Sequence, residues 1–143
     1  MTLTFFEKTA LGISGVTALG IGGFILSAPH AFYAGYGMTL GNDPSLLSEM
    51  RAPAAGLAAL GILMLAGIFR QAWAQLSIAA ALTVFLAFPA GRLVGLVADG
   101  VPSGGILGAL ILELAIAALC LVAVRHRLRP AASTISGNQP TAA

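Results

Sequence analysis

Residues 104–124 read GGILGALILELAIAALCLVAV, a run that contains a single charged side chain, Glu113. About 20 apolar residues in an α-helix cross the roughly 30 Å hydrocarbon core of a bilayer. The run is continuous and rich in Ala and Leu, without the alternation of apolar and polar residues that a membrane β-strand shows. This stretch therefore predicts a transmembrane helix.

Three similar runs precede it, and the predicted spans are 10–28, 44–69, 72–98 and 104–124. The second span extends back to Pro44 because Asp43 followed by Pro44 is typical of a helix N-terminus. The third is interrupted only by Arg92. We predict an all-α integral membrane protein, a four-transmembrane-helix bundle with up-down antiparallel topology.

The composition excludes other classes of protein. Charged residues make up 8% of the chain, against roughly 25% in a soluble domain, and the mean hydropathy is +0.95. One cysteine excludes a disulfide scaffold. The seven basic residues are scattered along the chain, so a pI near 9.2 does not indicate a nucleic-acid partner.

Basic residues in the short loops predict the orientation, because cytoplasmic loops of membrane proteins are enriched in Lys and Arg. Four spans put both termini on one side, which then holds five basic residues: Lys8, Arg70, Arg125, Arg127 and Arg129. The opposite side holds Arg51 and Arg92. We therefore expect a multi-pass protein of the bacterial inner membrane with both termini in the cytoplasm.

The domain organisation follows from the same pattern. Residues 1–129 form the predicted four-helix transmembrane domain. Residues 130–143, PAASTISGNQPTAA, are small and polar and predict a disordered cytoplasmic tail.

Helical hairpin geometry predicts a polar cluster in the outer half of the bundle. Residues equally far from the turn at Arg70 lie at one height in an antiparallel pair, which brings Glu49 level with Arg92. The turn at 99–104 brings Arg92 level with Glu113 to within two residues, about 3 Å along the helices. Ionisable groups at this depth are costly and usually face protein or water.

The remaining charges lie nearer the outer mouth. We expect Arg51 to turn toward Asp99 or Asp43, because it cannot pair with Glu49 two positions away. Four acids share two arginines there, so Glu113, the deepest acid, is expected to hold a proton at neutral pH. It is also the candidate catalytic acid. The candidate ligand-binding residues are Glu49, Arg51, Arg92, Asp99 and Glu113.

Several kinds of site are excluded by the sequence. His30 and His126 fall on opposite sides of the membrane, and Cys120 is alone in an apolar helix, so we predict no metal site. The only lysine is Lys8, and no phosphate-binding loop is present. We accordingly predict no cofactor.

The motifs that carry these charges resemble a known family. They are the runs LLSEMRA at 46–52, GRL at 91–93, DGVP at 99–102 and EL at 113–114. With their long spacings they resemble a family of small bacterial four-helix membrane proteins, a domain of unknown function. The resemblance implies the four-helix fold and marks the charged residues of these motifs as the family's polar signature. It implies no reaction.

Three functions remain open at this point. The cluster is a purely structural ion network in an accessory or assembly protein, or a binding site for a small amphipathic or lipid-soluble ligand, or part of a proton-coupled small-molecule exporter that uses Glu113. The ligand-binding hypothesis covers membrane enzymes as well as proteins that only bind, so the question of catalysis is open. The expected partners are membrane lipid and such a ligand.

Small residues also recur every fourth position, as helix packing in membranes requires. The rows are Ser14, Ala18 and Gly22, then Gly91 and Gly95, then Gly104 and Gly108. We interpret them as packing within one bundle, with a homo-oligomer as the alternative.

Overall fold

The computed structural model describes residues 2–128, and the predicted tail at 130–143 lies outside them. The described part is mainly helical, without a strand, and four of its helices are long and apolar enough to cross a membrane. The elements are α1 (Phe5–Ser27), α2 (Pro29–Ala34), α3 (Pro44–Phe69), α4 (Ala74–Ala98) and α5 (Gly104–Leu128), with a 3-10 turn at Gln71–Trp73 before α4. The predicted all-α class with four apolar helices is confirmed.

The helix ends are set by local capping. In α1 the Thr4 hydroxyl accepts a hydrogen bond from the Glu7 N–H at 3.2 Å, and the Glu7 carboxylate accepts one from the Thr4 N–H at 2.7 Å. This capping box satisfies two N–H groups and starts the helix five residues before the predicted span. In α3 the Asp43 carboxylate accepts from the Ser45 N–H at 3.1 Å, so the predicted start at Pro44 is confirmed.

Helices α1 and α3 pack through backbone contact. A Cβ on Gly61 would lie 2.5 Å from the Leu19 nitrogen and 2.8 Å from the Gly15 oxygen. A Cβ on Gly22 would lie 2.6 Å from the Ala54 oxygen. Only glycine fits at such approaches, so the first predicted row of small residues does pack inside the bundle.

Helices α4 and α5 complete the four-helix bundle. The Ser77 hydroxyl of α4 donates to the Leu63 carbonyl of α3 at 2.6 Å. Helix α5 contacts α1 and α4 but, within the described residues, not α3. Ser14 Oγ of α1 and Cys120 Sγ of α5 lie 3.1 Å apart in the core.

The two ends of the bundle differ. We call the end with Glu7, Arg70 and Arg127 the Glu7 side, and the end with α2 and the 99–103 turn the α2 side. Within the described residues, every polar side-chain contact between α1 and α5 lies in the half of the bundle toward the Glu7 side. The two helices are therefore fastened there, and a cavity separates them toward the α2 side.

Aromatic side chains hold α2 across its end of the bundle. The Phe32 ring contacts the rings of Phe24, Tyr33 and Tyr36, with centroids 5.5, 5.3 and 5.1 Å away. Such edge and tilted contacts are the favoured geometries of aromatic pairs. The Ser103 hydroxyl donates to the Tyr36 carbonyl at 2.9 Å, which fastens this segment to the start of α5.

Candidate functional site

Arg92 of α4 and Glu113 of α5 form an ion pair toward the α2 side. The Arg92 Nε lies 3.0 and 2.9 Å from the two carboxylate oxygens of Glu113. The Arg92 side chain is 32% exposed and that of Glu113 10%. The predicted meeting of these two residues is thus confirmed, and the pair is partly sheltered from the surroundings.

The pairing uses only one of the nitrogens of the guanidinium group. Within the described residues, no hydrogen bond involves Arg92 Nη1 or Nη2. Every buried side-chain nitrogen or oxygen there has a hydrogen-bond partner, so these two unpartnered groups are accessible. An arginine has five N–H donors, and four of them remain free to bind an acceptor.

The pair lies on the wall of a cavity of about 340 Å³. All the long helices and the α2 segment contribute to the wall. Most of the lining side chains are apolar: Ala18, Ile21, Ile25, Phe32, Met38, Leu57, Val84, Phe85, Phe88, Ile106, Ala109 and Leu112. Arg92 and Glu113 are the only charged residues among the lining residues in the described part of the chain.

The aromatic segment adds two tyrosines to the cavity lining. These are Tyr33 and Tyr36, and between residues 2 and 128 neither hydroxyl has a hydrogen-bond partner. Thr17 of α1 is the remaining polar side chain in the lining. The cavity thus combines an apolar interior with a few hydrogen-bonding groups, as small-molecule sites do.

Glu49 is not part of this arrangement. Its side chain is exposed, and it forms no hydrogen bond or ion pair with any described residue. The expected direct contact between Glu49 and Arg92 is not formed within the described residues. Hairpin geometry fixes the height of a residue along the bundle but not the direction of its side chain around the helix axis.

The other predicted charges have local roles. The Arg51 Nε donates to the Leu26 carbonyl near the end of α1 at 3.2 Å, so its predicted pairing with Asp99 or Asp43 is wrong. Asp43 caps α3, and Asp99 is exposed at the end of α4. Neither acid competes for Arg92. Glu113 therefore has an arginine to itself within the described residues.

A second charged cluster lies on the Glu7 side and was missed by sequence reasoning. Glu7 is fully buried, and its carboxylate accepts hydrogen bonds from Arg127 Nε and, at 2.9 Å, from Arg127 Nη2. Arg127 Nη2 also donates to the Thr2 carbonyl at 2.8 Å, and His126 Nε2 lies 3.6 Å from Glu7. The capping-box spacing Thr4-x-x-Glu7 was the available signal. The cluster joins the first turn of α1 to the last turn of α5.

Among residues 2–128, no group of three or more His, Cys, Asp or Glu side chains is close enough to hold a metal ion. Cys120 is buried beside Ser14. What the cavity can do chemically is donate hydrogen bonds from Arg92 to a molecule that fits among apolar side chains.

A family model described as a domain of unknown function, DUF4345, matches residues 6–124. The chain belongs to this family. The DUF4345 match includes Arg92, Glu113 and every residue that lines the cavity, whereas Arg127 lies beyond it. No curated protein and no solved structure gives a significant match. The DUF4345 description names no ligand and no reaction, so function rests on the geometry of the site.

Proposed function

We propose that this membrane protein binds a small amphipathic or lipid-soluble molecule in the cavity beside the Arg92–Glu113 pair. One observation carries the proposal: a cavity of about 340 Å³ is lined by apolar side chains and by Arg92, whose Nη groups are accessible and have no partner within the described residues. Burying apolar surface supplies the affinity for such a molecule, and the few polar groups fix its orientation.

The orientation belongs to the proposal. On the Glu7 side, Lys8, Arg70 and Arg125 are exposed, and the single acid there, Glu7, is buried and paired with Arg127. Because basic residues mark the cytoplasmic side, we place the Glu7 side in the cytoplasm of a bacterial cell and the cavity in the outer half of the inner membrane. The molecule then enters from the outer leaflet or the periplasm.

The alternative hypothesis, a purely structural ion network, rests on the same Arg92–Glu113 pair. Arg92 and Glu113 connect α4 to α5, as an ion network that only fixes helix packing would. A purely structural pair, however, gives no reason for a cavity of this size beside it, since protein interiors are normally close-packed. The exporter hypothesis needs Glu113 to carry a proton, and the ion pair with Arg92 lends it no support.

Two glycines offer a matched pair of variants that tests the proposal. Gly108 lines the cavity and Gly91 does not, and a Cβ on either would meet no atom within 4 Å. Gly108→Leu therefore adds a bulky side chain at the cavity wall without a clash at Cβ, while Gly91→Leu adds the same side chain to a helix elsewhere.

Binding would be followed with 2-decanone carrying a diazirine in its chain, photolysed with the protein in phosphatidylcholine nanodiscs. We expect labelling of Val84 and other lining residues that unlabelled 2-decanone competes away. Labelling should fall at least several-fold in Gly108→Leu and stay unchanged in Gly91→Leu. Equal labelling of both variants, or labelling confined to exposed residues such as Val94, contradicts the proposal.

A further inference from the structure

The charge of the cavity narrows the class of molecule that it takes. Arg92 and Glu113 are the two charged residues in the lining that the structure describes, and they neutralise each other. The site therefore presents hydrogen-bond donors without a net positive charge. This differs from the usual anion site, in which an arginine faces the ligand with its charge uncompensated.

An anionic head group would meet two costs in this cavity. Moving an ion out of water into an apolar environment costs several kcal/mol unless a counter-charge compensates it. The Arg92 charge is already engaged by Glu113, at 2.9 Å, and the Glu113 carboxylate would repel a second anion bound to the same guanidinium. A neutral acceptor avoids both costs and still accepts from the Nη groups.

The remaining polar groups agree with this choice. Tyr33 and Tyr36 are among the lining residues, and their hydroxyls, which have no hydrogen-bond partner between residues 2 and 128, can each donate a hydrogen bond. The volume of about 340 Å³ lies at the lower end of the range for small-molecule sites, roughly 300–1,000 Å³. It suits one short apolar chain or ring better than the two acyl chains of a phospholipid.

We infer that the cavity takes a neutral molecule with a single apolar body and a carbonyl oxygen, a ketone, ester or quinone, that accepts hydrogen bonds from Arg92. This inference rests on the proposed binding function and names its ligand class. The class is defined by charge and hydrogen bonding alone.

The experiment compares two probes of equal chain length, 2-decanone and decane-1-sulfonate, the latter ionised at any working pH. Equilibrium dialysis against wild-type protein in phosphatidylcholine nanodiscs, corrected with empty nanodiscs, gives the affinity of each probe. We expect saturable binding of the ketone that Gly108→Leu abolishes, and at least tenfold weaker binding of the sulfonate. In Glu113→Gln the Arg92 charge is uncompensated. The ratio of ketone affinity to sulfonate affinity should therefore fall at least tenfold, or the sulfonate should bind more tightly than the ketone.

The outcomes separate the two claims. If neither probe binds wild-type protein at the cavity, the proposed function fails and the inference fails with it. If the sulfonate binds as well as the ketone and Gly108→Leu abolishes both, the cavity is a binding site and the inference about its ligand is overturned. The comparison of ketone and sulfonate binding to the wild-type protein tests the ligand class even if Glu113→Gln does not fold, because it requires no variant of Arg92 or Glu113.

Discussion

Arg92 holds Glu113 through its Nε, at 2.9 and 3.0 Å from the two carboxylate oxygens, and leaves both Nη groups without a partner in the described residues. The same contact therefore connects α4 to α5 and presents free donors beside the cavity. It also makes the pair neutral as a unit. Stability and binding can be separated only by variants that remove the charges singly and together.

Removing the arginine alone should destabilise the protein. Arg92→Leu leaves the Glu113 carboxylate, 10% exposed, without its cation. Breaking a buried pair costs about 3–5 kcal/mol, and we expect the lower end or less because a third of the Arg92 side chain is exposed. Thermal unfolding in detergent should show a lower Tm. The double variant Arg92→Leu/Glu113→Leu should regain part of the loss, and a double variant less stable than Arg92→Leu would contradict this account.

Glu49 should be dispensable for stability. Its side chain is exposed and unpaired within the described part of the chain, so Glu49→Gln should leave the Tm unchanged. Glu113→Gln, measured beside it, should lower the Tm because a neutral amide replaces the partner of Arg92. An equal decrease in Tm in the two variants would indicate that Glu49 does interact with Arg92, as the sequence predicted.

The Glu7–Arg127 contact should contribute more to stability than other charges on its side. Arg127→Leu leaves a fully buried carboxylate with only its cap and His126, and we expect a loss of about 3 kcal/mol. Arg125→Leu is the control, since Arg125 is exposed and two positions away. Urea unfolding or a thermal scan should show a larger loss of stability for Arg127→Leu than for Arg125→Leu. Indistinguishable curves would show that the Glu7–Arg127 contact does not fasten α1 to α5.

The close approach of α1 and α3 should make Gly61 intolerant of a methyl group. Gly61→Ala places a Cβ against backbone atoms of Leu19 and Gly15, and overpacking of this kind typically costs about 1–3 kcal/mol. Gly56 lies on the same helix with no atom within 4 Å of an added Cβ. Gly56→Ala should leave the Tm unchanged or raise it. If both variants behave alike, the two backbones are further apart than described.

The basic residues predict the topology in the membrane. A reporter that is active only in the cytoplasm, fused after Arg129, should be active, and a periplasmic reporter fused there should be silent. The matched fusion within the 99–103 turn should give the opposite pair of signals. Activity of the periplasmic reporter after Arg129 would put the cavity in the inner half of the membrane.

Much of the fold was accessible from hydropathy and helix signals. Long apolar runs predict the four helices, and Asp43–Pro44 predicts the start of α3, because both depend on local sequence. The early start of α1 was missed because the charged residues Glu7 and Lys8 interrupt the apolar run in its first turn. Its capping box, Thr4 with Glu7, was nevertheless present in the sequence.

The site was predictable only in part, for a geometric reason. Turn positions gave the relative heights of Arg92 and Glu113 correctly, and the two do meet. Heights gave no information on helix rotation, so Glu49 and Arg51 were assigned partners that they do not have. The cavity depends on how α1 and α5 separate around Phe32 and its neighbours, which arises from packing across the whole bundle.

The most direct test of the central claim is an anomalous-diffraction measurement on crystals of the protein grown with 10-bromo-2-decanone. The account predicts a bromine peak inside the cavity, among the apolar side chains that include Val84 and Leu57, with the carbonyl oxygen within hydrogen-bond distance of an Arg92 Nη group. Bromine peaks only on the exposed surfaces of the helices, with the cavity filled by its own side chains, would contradict it.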